Sequence, residues 1–374
     1  KTHTMVGAIQ HYIKENNPEK VVAVTFTKKA AEELKGKIFN DSIVHTATIH
    51  SWSYTELANL STKHKFRLRL LQEDQIMAIL KPIMKDLNIS VRVNWKLYHY
   101  VMGNYNIDIP DFLKQKFKSA SARYIEFKRT RHLYDFTDLP LYLKDKLEEF
   151  DEYIYVDGLF VDEFQDVDPI QLEVFDRVMT EKAFFIGDPD QAIYIFRGAT
   201  SDIFHALKGF KIYKLKVNYR SYQPILDFAS SFKSHAEYQL EDGGQDSTML
   251  EDFYIGKSPI EAFRREGGAV SIQDGYDFRG LGSDLVYEDN AIMQIGKEIM
   301  LFQPQILCRT NKQVDELKEI GYEKVSTIHK AKGLEFENVI VCDFGIDGQE
   351  NVNVAYVALT RAQNRLMIVD HELL

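Results

Sequence analysis

Two short apolar runs, Leu159–Val161 (LFV) and Ala183–Ile186 (AFFI), each lead directly into a cluster of acids and amides, and no other feature constrains the fold as much. The first continues as Asp162-Glu163-Phe164-Gln165-Asp166, the second as Gly187-Asp188-Pro189-Asp190-Gln191 and then AIYIFRGA to Ala199. Such runs read as buried strands of a parallel sheet, and open α/β sheets gather ligands at the carboxyl ends of their strands. Two neighbouring strands that both end in acids and amides suit a metal-bound phosphate. An Asp at a strand end can hold Mg²⁺, and the Glu after it can polarise a water, which together form half of a nucleoside triphosphate hydrolysis site. Taken alone, Asp162-Glu163 reads equally as a solvated strand end; the loop from Gly187 to Gln191 favours the phosphate reading.

The other half would be a P-loop, GxxxxGK[ST], in which glycine amides cradle the phosphates, Lys reaches the β- and γ-phosphates and the hydroxyl binds Mg²⁺. The chain opens on Lys1-Thr2, the last two positions of that pattern. Met5, Val6, Ile9 and Ile13 then recur at helical spacing, so a helix is predicted to start there. Asn16-Asn17-Pro18 stops it, and Val21–Phe26 (VVAVTF) reads as a buried parallel strand.

Further motifs follow in a fixed order: TFTKKAAEEL (Thr25–Leu34), TIHSW (Thr48–Trp52), YDFTDL (Tyr134–Leu139), DEFQD, GDPDQAIYIFRGA, NYRS (Asn218–Ser221), TIHKAKGLEF (Thr327–Phe336) and YVALTRA (Tyr356–Ala362). With these the chain resembles the UvrD/Rep-type superfamily 1 DNA helicases along its whole length, in a compact form. The resemblance implies an α/β fold of two RecA-like parallel-sheet motor domains with a helical insertion in the first. Residues 1–53 and 132–215, where strands and helices alternate, would form the first motor domain. Residues 54–131, rich in Leu, Ile, Lys and aromatics, would be the insertion. Residues 216–374, from the end of KIYKLKV through AVSI, QILCRT, ENVIVCDF and RLMIVD, would form the second motor domain. The helical 2B insertion of relatives is expected to be absent or vestigial, with 274–285 (DGYDFRGLGSDL) as its remnant. The P-loop glycines, their strand and a Gln-containing adenine motif would lie upstream of Lys1, so the chain is expected to be a portion of a longer protein.

The resemblance also implies roles. Lys1 neutralises the β- and γ-phosphates, Thr2 and Asp162 hold Mg²⁺, and Glu163 is the general base for the attacking water. Gln191 senses the γ-phosphate, while Arg220 and Arg361 are arginine fingers. Tyr219 stacks on adenine, and Gly333 and Glu335 lie near the ribose and γ-phosphate. On the DNA track, Phe26, Tyr194, Phe196 and Arg197 sit in motifs that stack on bases, and Thr25, His50, Thr327, His329 and Lys330 in motifs that touch the backbone. Phe196 stands where many relatives have Trp, so stacking is expected to persist but weaken. Without that context, Arg220 reads as a strand cap, Arg361 as a surface helix residue and Tyr219 as core; many of the 24 Phe and 20 Tyr must be core filler.

A length of 374 residues exceeds one core. The net charge of −10 argues against a uniformly basic nucleic-acid binder, but the cations cluster. Lys28, Lys29, Lys35 and Lys37 form one group, Lys63, Lys65, Arg67 and Arg69 a second, and Lys114, Lys116, Lys118, Arg123, Lys128, Arg129 and Arg131 a third. A basic groove on an acidic body accommodates both facts. Cys308 and Cys342 lie in strand-like runs and are expected as buried reduced thiols. No metal-site spacing surrounds His50 or His329. No signal peptide or bilayer-length apolar run is present, so a cytoplasmic protein without a membrane partner is expected.

The expected function is an ATP- and Mg²⁺-dependent translocase and helicase acting on single-stranded DNA and ss/ds DNA junctions, with the family's 3′ to 5′ polarity. Two alternatives stand beside it. One is the motor subunit of a helicase-nuclease or phage-defence complex, whose nuclease would act in trans; the other is a non-hydrolysing DNA-binding subunit. A nuclease or replication partner protein is the expected companion.

Overall fold

The structure, a computed structural model, describes residues 1–38, 42–103, 109–193, 203–204, 207, 209–241, 260–263, 268–272, 301–342 and 349–369. They divide into two compact units, one built on Lys1–Asp188 and the other on Pro189–Ile193 with the chain from residue 205 onward. The fold is α/β, and a parallel sheet organises each unit.

In chain order the first unit carries α1 (Thr2–Asn16), β1 (Val21–Thr25), α2 (Lys28–Lys37), β2 (Val44–Thr48), α3 (Ile49–His64), α4 (Glu73–Asp86), α5 (Asn94–Val101), α6 (Asp111–Arg129), α7 (Leu139–Glu149), β3 (Ile154–Tyr155), β4 (Gly158–Val161), α8 (Pro169–Asp176), β5 (Val178–Met179) and β6 (Lys182–Phe185). The main sheet runs β2-β1-β4-β6, all parallel. All five β1 residues are buried, and the four before Thr25 are apolar, as suits a strand covered on both faces. Met5, Val6, Ile9 and Tyr12 of α1 pack on Val21, Ala23, Leu34, Val44 and Phe160. Asn17, with φ 45°, ends α1 by returning its N–H to Ile13 O, and Pro18 prevents continuation.

Thr27 caps α2 by accepting from Ala30 N, and Thr48 caps α3 by accepting from Ser51 N. Each leaves its strand with a hydroxyl ready for the next helix. Helix α3 runs through the expected boundary at 53/54, with Trp52, Leu57 and Leu60 buried. Helices α4, α5 and α6 have their own core, in which Ile76, Leu80 and Met84 meet Leu97, Leu113 and Phe117.

The second unit carries β7 (Val217–Asn218), α9 (Gln223–Glu241), β8 (Glu261–Ala262), β9 (Ala269–Ile272), β10 (Gln305–Cys308), α10 (Asn311–Glu319), β11 (Val325–Thr327), α11 (Ile328–Ala331), β12 (Phe336–Cys342), α12 (Gln349–Leu359) and β13 (Ala362–Val369). Its parallel sheet runs β11-β10-β12-β13-β9. The predicted strands AVSI, QILCRT, ENVIVCDF and RLMIVD are β9, β10, β12 and β13. Cys308 and Cys342 are buried and unbonded to each other. Of the run KIYKLKV only the last residue, Val217, enters a strand, pairing with Glu261, while Ile212 and Tyr213 stand 76% and 72% exposed. Alternation alone sets no ladder; a strand needs a neighbour in register. The proposed remnant at 274–285 lies outside the described residues.

Candidate functional site

Parallel pairing of β2, β1 and β4 brings three motif ends to one edge of the sheet. Thr25 pairs with Thr48 at the last register position, and Asp162 N donates to Val24 O at 2.9 Å. Asp162 is 4% exposed. Burial, reinforced by the charge of Glu163 and opposed by Lys1, pushes its carboxyl up to about 6. A buried carboxylate in that state gains from any cation brought to it.

Glu163 follows in the left-handed region, φ 52° and ψ 43°. For a residue with a Cβ this conformation costs roughly 1–2 kcal/mol. Most residues that share it, such as Asn17 and Lys65, simply end helices. At Glu163 it turns the carboxylate instead: Lys1 Nζ lies 2.7 Å from Oε2, although 162 positions separate the two in sequence. Backbone strain of this kind is enriched at active sites and ligand clamps.

Gln165, fully buried, joins this pair to the next strand. Its Nε2 donates to Glu163 Oε2 at 2.6 Å, and its Oε1 accepts from Asp188 N at 2.9 Å. Gly187 is required for that approach, since a Cβ there would stand 2.6 Å from Gln165 Oε1 and 2.8 Å from the Phe204 ring. Nothing in DEFQD singles out Gln165, a neutral amide between Phe164 and Asp166.

From Pro189 the loop belongs to the second unit. There Gln191 Oε1 accepts from Arg361 Nη2 at 3.3 Å, Gln191 O accepts from Lys332 Nζ at 2.6 Å, and Ala192 O accepts from the buried Asn353 Nδ2 at 3.0 Å. Asp190 is ion-paired with Lys233 at 3.3 Å. Lys332 and Asn353 carried no sequence-based expectation. Arg361 is fully buried, not on the surface: Nε donates to Val357 O and Nη1 to Leu334 O. Arg220 is more open, its Nε 2.8 Å from Glu335 Oε2. Asn218 Oδ1 holds its turn by accepting from the backbone N–H of Arg220 and Ser221. Tyr219 is exposed. Gly333 has φ +79°, which a glycine adopts without strain, and it places the exposed Glu335 two residues on.

The residues expected to meet nucleic acid separate by environment. Thr25 is buried and its Oγ1 has no hydrogen-bond partner among the described residues; Thr327 uses its hydroxyl to cap α11, accepting from Lys330 N. Phe26 and His329 are half-buried and Lys330 exposed. His50 stacks on Phe136, centroids 6.3 Å apart at 17°, and Phe136 is 55% exposed. Phe136, inside YDFTDL, had been given no role. Tyr194, Phe196 and Arg197 lie outside the described residues.

One member of the third basic cluster is turned inward. Lys128 is 5% exposed, with Nζ 2.7 Å from Asp135 Oδ2 and 2.6 Å from Asp138 Oδ2, while Tyr124 OH donates to Asp135 at 2.8 Å. A buried ammonium needs such carboxylates, so this part of YDFTDL fastens α6. Elsewhere Lys37 pairs with Glu33 and Lys63 with Glu152. Among the described residues no helix is long and apolar enough to cross a membrane, and no cluster of three His, Cys, Asp or Glu could hold a metal.

Comparisons with known proteins agree on the family. Residues 1–210 match the UvrD/REP helicase N-terminal domain and residues 324–369 the UvrD-like helicase C-terminal domain. A probable DNA helicase of Mycoplasma pneumoniae is 26% identical over 437 aligned residues, taking in 99% of this chain and 78% of that protein. ATP-dependent DNA helicase Rep of Buchnera aphidicola subsp. Baizongia pistaciae is 28% identical, over 63% of this chain and 39% of its own length. The Gabija protein GajB of Bacillus cereus is 23% identical over 99% of this chain and 90% of its own. The chain thus spans well under half of some curated relatives, 39% for Rep and 38% for a probable DNA helicase II homolog of Mycoplasma capricolum. The acid-ended strands, the NYRS and TRA turns and a family match over more than half of its length together make this chain a member of the UvrD/Rep helicase family.

Proposed function

We propose that the chain is the motor of an ATP-dependent helicase that translocates on single-stranded DNA, with the 3′ to 5′ polarity of its family. The observation that carries this reading is the contact of Lys1 with Glu163 beside the buried Asp162. Phosphoryl transfer asks a protein mainly for positioning and charge stabilisation. Glu163, held by Gln165, orients and deprotonates the attacking water. Lys1 meets the β- and γ-phosphates. Gln191 senses the γ-phosphate, and Arg220 and Arg361 supply positive charge, Arg361 while holding Gln191. Tyr219 takes the adenine, with Gly333 and Glu335 near the ribose and γ-phosphate.

The donor set fits Mg²⁺, a hard cation bound through one or two protein oxygens plus phosphate oxygens and water. Thr2 and Asp162 would hold it, and it would neutralise charge on the phosphates. The raised carboxyl of Asp162 is the observation that supports the fit.

On the DNA side, Phe26 and Phe136 act as base platforms, together with Tyr194, Phe196 and Arg197. Stacking is worth about 1–3 kcal/mol per base. Thr25, His50, Thr327, His329 and Lys330 follow the backbone. Single strands and ss/ds junctions are the substrates, and the cytoplasm is the proposed location.

Glu163→Gln tests the chemistry: it should abolish single-stranded-DNA-stimulated ATP turnover while DNA affinity holds within about twofold. Unchanged turnover would remove Glu163 as the base. A second reading, the motor subunit of a helicase-nuclease or defence assembly, is favoured by the likeness to GajB, which takes in almost the whole of both chains. A nuclease that co-purifies with the chain would support it.

A further inference from the structure

Tyr219 and Phe263 are 68% and 67% exposed, and they touch each other, with ring centroids 5.0 Å apart at 33°. Two large aromatics left in solvent side by side are unusual unless something covers them. The backbone beneath them is firmly built. Phe263 N donates to Asn218 O at 2.7 Å, beyond the pairing of Val217 with Glu261 and Asn218 with Ala262. Gln223, at the start of α9, accepts from Ala262 N at 2.7 Å and donates to Asp227 at 2.8 Å. On the other side, Ser221 Oγ donates to Ala362 O at 2.6 Å. The parallel pair β7–β8 thus fixes two rings on adjacent chains.

Their separation decides what they can do. A flat base held between two rings would need about 3.5 Å on each side, so centroids roughly 7 Å apart. At 5.0 Å the rings leave no such slot. Phe263 lies against Tyr219 at a tilt, and Tyr219 still keeps 68% of its surface in solvent, enough for a base to meet the ring from the side away from Phe263. Next along the chain, Arg220 is tied to Glu335, so Tyr219 directly precedes a group proposed for the phosphates.

We infer that Phe263 is a positioning residue for nucleotide specificity: it backs the Tyr219 ring and so builds a one-sided platform for the purine of the nucleoside triphosphate. This rests on the proposed role of Tyr219. Backing matters because an unsupported exposed Tyr samples several rotamers, and a ring locked before binding loses less freedom when the base arrives.

The test is calorimetric binding of a non-hydrolysable ATP analogue and of tripolyphosphate, which has no base, to the full-length protein. Phe263→Ala should weaken the analogue about fivefold to tenfold and leave tripolyphosphate unchanged; Phe263→Tyr should restore the analogue. Tyr219→Ala should weaken the analogue further. If Phe263→Ala leaves the analogue within twofold while Tyr219→Ala weakens it, Phe263 does not back the platform and the inference falls alone. If Tyr219→Ala has no effect on the analogue, the role of Tyr219 fails and takes the inference with it. Equal loss of both ligands on Phe263→Ala would mean general distortion and would also overturn it.

Discussion

Arg220 and Arg361 lie in the same unit, and the same chemistry is proposed for both, yet they are held in opposite ways. Arg361 is fully enclosed, with hydrogen bonds to Val357 O, Leu334 O, Thr360 Oγ1 and Gln191 Oε1. Arg220 is 29% exposed by side chain, and its strongest partner, Glu335, is 52% exposed. An exposed ion pair is worth roughly 0.2–1 kcal/mol, so Arg220 can exchange Glu335 for a phosphate. A guanidinium that satisfies several buried acceptors cannot leave without exposing them. One arginine is therefore a movable charge and the other a strut that also carries charge.

The largest effect should come from the movable one. Arg220→Ala should lower DNA-stimulated ATP turnover on the order of 10³-fold and change stability by less than about 1 kcal/mol. Steady-state rates and urea unfolding read both, and a stability loss above about 2 kcal/mol would break the contrast. Arg361→Ala should cost about 2–4 kcal/mol of stability, and Arg361→Lys should recover less than half, because an ammonium lacks the planar fork that reaches several acceptors. Urea unfolding decides this as well; full recovery by Lys would show that charge alone matters there. Asn353→Ala sharpens the picture of the strut's surroundings. It removes the donor to Ala192 O and should cost about 1–2 kcal/mol, with turnover falling through a displaced Gln191; a melt identical to that of the parent would deny this hydrogen bond a role.

Sequence reasoning reached the strand-borne part of this arrangement. VVAVTF and LFV read as strands from their apolar runs, they form β1 and β4, and their motif ends follow from the direction of the chain. The burial of Arg361 was not legible: a guanidinium after a helix reads as surface, and only the fold shows carbonyls converging on it. Gln165 escaped for a related reason, since a neutral amide leaves no periodic or charge signal. In sequence Lys128 is one more cation of its cluster, yet YDFTDL, adjacent in sequence, supplies the two acids that draw it inward.

The left-handed backbone at Glu163 bears on descent as well as on chemistry. Glycine or asparagine there would shed about 1 kcal/mol of backbone strain, but would strip the buried Gln165 Nε2 and Lys1 Nζ of the oxygen they share. The left-handed turn is thus held by the far end of the side chain, and a descendant that traded the carboxylate away would exchange one cost for another.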